Sequence, residues 1–206
     1  MFNIYIKGKL ENESQLFQGK ELSLKAVQFK EGRTLLEAFR LGFVLSLPIM
    51  LPMVILSIFR CSDLDKHLEF NGGFIIAIVI TVLLSQVLIY IHEFIHAIFY
   101  PKEAEKTVWR DQKQGAYFVY CDAEVTKIRF IVLCLAPSII LGIIPFVIWY
   151  IIAPILEAKW IVCIMLLTWM MTFKSMGDFT NAFNAIRQVP KNAKVFNYGM
   201  HSYWIE

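Results

Sequence analysis

Charge is scarce in this chain. Of its 206 residues, 18% are Asp, Glu, Lys or Arg and 57% are hydrophobic, far from the balance of an ordinary soluble domain. The scarcity points to an integral membrane protein with the lipid bilayer as its surroundings. The charges that remain give a formal net of +3 with no block of one sign, so nucleic acid is not an expected partner. Cys61, Cys121, Cys134 and Cys163 show no C-x-x-C spacing. They therefore carry neither a disulfide nor a cysteine metal site, and read as buried small apolar residues. Roughly the first thirty residues are polar and mixed in charge, which excludes a cleavable secretory signal at the extreme N-terminus.

What the chain has in quantity is apolar sequence in long uncharged runs. Residues 41–59 form one of nineteen residues, about 28 Å of helix and enough for a crossing. Pro48 and Pro52 predict a kink in it. A second run, 74–91, continues to a stop before Pro101. A third, 130–156, is interrupted by Pro137, Gly142, Pro145 and Pro154. The fourth, 160–173, reaches crossing length only by continuing past Lys174 to Asp178. The expected fold is an all-α membrane protein of about four transmembrane helices, near 41–59, 74–100, 130–156 and 160–178, with a small cytoplasmic β element. Residues 1–39 read as an N-terminal extension, and 40–206 as one membrane domain ending in a polar tail.

Three stretches carry strand signals. Phe2, Ile4 and Ile6 alternate with polar residues, and the apolar patch at 24–29 offers a partner, with Gly8, Asn12, Gly19 and Gly32 as turns. After Gly115, residues 116–125 hold Tyr117, Phe118, Val119, Tyr120 and Val125, which predicts a strand or hairpin near the membrane surface. In the tail, Tyr198, Tyr203 and Trp204 read as rings for the membrane interface. His67, in the loop between the first two runs, reads as solvated.

Lysine and arginine set the orientation. Seventeen of the twenty lie in the N-terminal segment, in 102–129 and from Lys174 onward; three lie in the two intervening loops. Both termini are expected in the cytoplasm, with four crossings of the cell membrane.

The residues with chemistry lie where the second run ends. His92-Glu93-Phe94-Ile95-His96 is an H-E-x-x-H pentad, and on a helix its histidines share one face and can offer imidazole nitrogen to one zinc ion. Glu93 then stands beside the metal as a base for bound water. Ionisable residues inside a membrane helix are rare and usually functional. Zinc needs a third protein ligand, and depth selects Asp178. His92 lies eighteen residues beyond Phe74 and Asp178 eighteen beyond Trp160, each about 27 Å of helix. Glu157 falls on the other side of the membrane, and Asp122 and Glu124 sit in a loop that would have to fold back. His201 is the second candidate. A plain helix-terminal carboxylate paired with Lys174 is the other reading of Asp178.

The pentad, with Gly177-Asp178 on a later helix, resembles the site-2 protease group of intramembrane zinc metalloproteases. With Asn181, Asn184, Gln188-Val189-Pro190-Lys191 and Gly199-x-His201-Ser202-Tyr203-Trp204, it more closely resembles a family of small bacterial membrane proteins called putative zincin peptidases. The resemblance runs from about Ile91 to Ile205. It implies zinc held by His92, His96 and Asp178, Glu93 as general base, and cleavage of a membrane-associated protein or peptide substrate near the cytoplasmic face. Two departures accompany it. Site-2 proteases usually carry Asp-Gly after Asn-Pro, where this chain has Gly177-Asp178. The Asn that often follows Gly-Pro in an intervening helix has no counterpart after Ala136-Pro137.

Two further readings compete. A metal-binding membrane protein without hydrolysis, a sensor or accessory subunit, needs the ligands but not Glu93. A small transporter needs polar residues along a whole membrane path, and the other runs have almost none. For the protease reading, the strand at 116–125 could pair with the main chain of an extended substrate. Asn181 and Asn184 are candidates to bond its carbonyls.

Overall fold

The computed structural model describes residues 3–17, 21–32, 35–62, 69–111 and 116–206. Phe2, Gly19, His67 and Gly115 lie outside these. Three helical segments are long and apolar enough to cross a membrane: Phe39–Cys61, Gly72–Phe99 and Lys127–Ile155. A fourth is a pair of helices, Ala158–Lys174 and Met176–Gln188, bent by 43° at their junction. The protein is therefore a multi-pass membrane helical bundle.

Each boundary has a local cause. Helix α1 (Leu35–Cys61) continues through both Pro48 and Pro52. Helix α2 (Gly72–Phe99) starts at Asn71, whose side-chain oxygen accepts the Phe74 N–H at 3.0 Å, and ends at Tyr100, extended ahead of Pro101. The third segment is composite: α3 (Lys127–Pro137), a π-helical turn over Ser138–Ile143, α4 (Ile144–Ile152) and a last 3-10 turn. Pro137 and Pro145 flank the π turn, where the ladder lacks their N–H donors.

The fourth segment corrects the expectation of one straight helix to Asp178. α5 (Ala158–Lys174) stops at Ser175, and Asp178 belongs to the first turn of α6 (Met176–Gln188). Thr168, Thr172 and Ser175 each turn a hydroxyl back onto a carbonyl of the preceding turn, at 2.8, 2.9 and 3.4 Å. Such bonds compete with the backbone ladder and bend helices. Two glycines let α5 and α6 sit close to their neighbours. A Cβ on Gly142 would collide with the Thr172 side chain, and one on Gly42 would come within 2.9 Å of the Met176 carbonyl oxygen.

The fold is not all-α, and its β structure is larger than one small element. Strands β1 (Ile4–Leu10), β3 (Lys106–Asp111) and β4 (Ala116–Tyr120) form one sheet in the order β1-β3-β4. Strands β2 (Val27–Gln28), β7 (His201–Ile205), β6 (Lys194–Tyr198) and β5 (Val125–Thr126) form a second, in the order β2-β7-β6-β5. Of the stretch 116–125, expected to hold a strand or hairpin, β4 forms a hairpin with the upstream β3, whereas Val125 belongs to β5 of the other sheet. The partner expected for the N-terminal strand is not the one found. β1 runs parallel to β3, and the patch at 24–29 pairs through β2 with β7. Nor are the tail aromatics free rings: Tyr203 is buried, Tyr198 stacks on Phe17 at 4.7 Å, and Trp204 packs on a cluster with Phe29, Tyr100 and Val195. At the far end of the bundle Trp149 is fully buried and Arg60 lies over Tyr150 while donating to its carbonyl oxygen.

Candidate metal centre

Four elements converge at the C-terminal end of α2. Its last turns present His92, Glu93 and His96, and the first turn of α6 presents Asp178. His92 Nε2 and His96 Nε2 stand 3.2 Å apart. Asp178 completes the group through both carboxylate oxygens, with Oδ2 3.1 Å from His92 Nε2 and Oδ1 3.2 Å from His96 Nε2. Donors bound tetrahedrally at about 2.0–2.1 Å from one ion lie about 3.3 Å from each other, and each of these three separations is close to that spacing. Among the described residues these three form a group whose ligand atoms all lie within 4.8 Å. Both histidines are buried.

α3 fixes which nitrogen of His96 faces that group. Its Nδ1 lies 2.9 Å from the Leu133 carbonyl oxygen, an acceptor only, so Nδ1 carries the proton and Nε2 presents its lone pair. The carbonyl is free for a reason written in the chain. Within a helix its ladder partner is the N–H four residues on, and that residue is Pro137.

Glu93 stands beside this group and outside it. Its Oε2 accepts the Val119 N–H of β4 at 3.0 Å, which leaves Oε1 4.0 Å from His92 Nε2. β4 is an edge strand, and this bond places its open edge against the pentad. A cavity of about 750 Å³ adjoins the centre, reached by Glu93, His96 and Asp178 and bounded by Val119, Asn197 and Met200.

The remaining candidates separate from the centre. His201 Nδ1 lies 2.8 Å from Glu31 Oε2. Asn181 lines the cavity, whereas Asn184 is buried with its side-chain oxygen accepting from Gln188 Nε2 at 3.0 Å. Asp178 makes no bond to Lys174. That lysine instead donates to the Ser85 carbonyl oxygen at 2.7 Å and to its hydroxyl at 3.1 Å. Sequence reasoning misses the Leu133 carbonyl and the Val119 N–H. Pro137 is the available signal for the first; the second depends on strand order and has none.

Residues 85–194 match a protein-family model described as putative zincin peptidase, just over half of the chain. The chain belongs to the zincin peptidase family. The matched region takes in the pentad, β3-β4 and Asp178, and so the complete centre. Neither the curated proteins nor the solved structures contained a match. A zincin pentad in a membrane-spanning helix, joined by a carboxylate from a later bundle segment, is the active-site arrangement of an intramembrane metalloendopeptidase.

Proposed function

We propose that this zincin is a zinc-dependent endopeptidase of the cell membrane, related to site-2 proteases, that cuts membrane-associated proteins or peptides near the cytoplasmic face. In this reading His92, His96 and Asp178 hold the metal and Glu93 is the general base. The observation that carries it is the cluster of His92, His96 and Asp178, its two imidazole nitrogens 3.2 Å apart and each within 3.1 to 3.2 Å of one Asp178 oxygen, with a second carboxylate held just outside. Two imidazole nitrogens and a carboxylate oxygen suit zinc and leave a fourth position open. When bound, zinc supplies a Lewis acid that polarises the scissile carbonyl and lowers the pKa of water.

The chain's own residues do the rest. Glu93, with Oε2 tied to Val119, has Oε1 on the side of the ligands to take the proton of the attacking water and return it to the leaving amine. The Leu133 carbonyl holds His96 in the tautomer that ligates. β4 is an edge strand whose main-chain groups, apart from the Val119 N–H held by Glu93, can pair with an extended substrate, a recognition mode with weak sequence demands.

The test is Glu93→Gln in protein reconstituted in nanodiscs. Zinc content should stay at the wild-type level while cleavage of a membrane-spanning peptide falls by about a hundredfold or more. Cleavage at the wild-type rate would remove Glu93 from the chemistry and favour the sensor or accessory reading.

A further inference from the structure

A second cavity, of about 610 Å³, is also lined by Glu93. Leu83, Val87, Tyr90 and Tyr117 line it, and two polar residues reach it from the apolar layer: Gln86 of α2 and Lys174 of α5. Glu93 and Lys174 line both cavities, so the two spaces adjoin one another.

Among the described residues neither polar side chain has all its hydrogen bonds satisfied. Lys174 has three N–H bonds and spends two on Ser85, and among the described residues no carboxylate lies within salt-bridge distance of it. Gln86 is exposed on a membrane-spanning helix and, among the described residues, has no hydrogen-bond partner. An amide or ammonium group with open valences is costly in a bilayer and marks a functional site. The depth narrows the choice of ligand. Ser85 is the fourteenth of the twenty-eight residues of α2, about 20 Å from either end, where a phospholipid headgroup does not reach.

We propose that this cavity is a substrate subsite in which Lys174 and Gln86 receive a carboxylate side chain, Asp or Glu, of the membrane segment being cut. The inference rests on the protease reading and adds its specificity. Register follows from geometry. Ser85 precedes His92 by seven residues of helix, about 10 Å, which an extended substrate covers in about three residues. The acidic residue should therefore lie about three positions from the cleaved bond, on one constant side of it.

The probe is a set of synthetic transmembrane peptides of leucine and alanine with one fixed Gly-Pro break and a guest residue, Glu, Gln or Lys, moved along the sequence. Zinc-loaded protein in nanodiscs cleaves them, mass spectrometry locates the cut, and Glu93→Gln sets the background. Within each variant the readout is the ratio of kcat/KM for Glu over Gln. Wild type should favour Glu by about thirtyfold or more at the stated position. Lys174→Met should bring the ratio to one, Lys174→Arg should restore most of it, and Gln86→Leu should lower it. A wild-type ratio near one, or a preference that survives Lys174→Met, overturns the subsite and leaves the protease reading intact. So does loss of co-purifying anionic phospholipid from Lys174→Met with an unchanged ratio, which would make Lys174 a lipid contact. No cleavage above the Glu93→Gln background overturns the protease reading, and the subsite with it.

Discussion

Asp178 is the residue on which the centre depends most. The two histidines come as a pair, because four residues of helix separate them and any continuous α2 puts them on one face. The carboxylate arrives from a segment more than eighty residues on and makes its contacts at 3.1 and 3.2 Å only if α6 is correctly placed. Asp178→Ala should reduce bound zinc in purified protein to a small fraction of the wild-type content, while His201→Ala, whose ring pairs with Glu31, should leave it unchanged. Equal zinc in wild type and Asp178→Ala would remove Asp178 from the ligand set. The pentad and Asp178 are legible in the sequence because helical spacing and depth along a run are one-dimensional quantities. Lys174 is not. A charge at the end of an apolar run reads as the membrane boundary, yet this side chain turns back to the middle of α2 and bonds Ser85.

At the scale of helices and strands, two interruptions of regular structure build the site. The break at Ser175 turns α6 by 43° and so lets Asp178 face α2. Hydropathy alone does not reveal it, since a bent pair and a straight helix share the same apolar run; the hydroxyls at Thr168, Thr172 and Ser175 are the visible sign. The partner of β1 is hidden for another reason. Parallel pairing with β3 joins segments about a hundred residues apart, and alternation along one strand names no partner. The second interruption is Pro137, which leaves the Leu133 carbonyl without its ladder donor and free for His96. Pro137→Ala supplies an N–H that competes for that carbonyl. The variant should be as stable as wild type or more so, because alanine favours helix. Its zinc affinity should fall by up to about tenfold as the His96 ring loses part of its restraint. Thermal unfolding of the metal-free protein and competition against a zinc chelator measure the two effects separately. A joint fall in stability and affinity would mean that Pro137 acts through packing, not through the freed carbonyl.

For the whole molecule, the sheets turn a count of charges into a constraint on topology. β1 precedes α1 and β3 follows α2, and the two pair directly, so α1 and α2 together make a there-and-back passage. β5 precedes α3 and β6 follows α6, and they pair as well. We infer that the bent pair makes a full return to match the composite third segment, so that the crossings are four and both termini share one face. The basic segments at 1–40, 102–129 and 175–206 then gather on that face, and positive charge favours the cytoplasm. Alkaline phosphatase fused after residue 62 or residue 157 should be active, and green fluorescent protein should fluoresce at either terminus. A split between the two termini would contradict the strand pairing and with it the fold. Inversion of all four reporters would contradict only the charge argument. It would leave the centre intact, facing the opposite compartment.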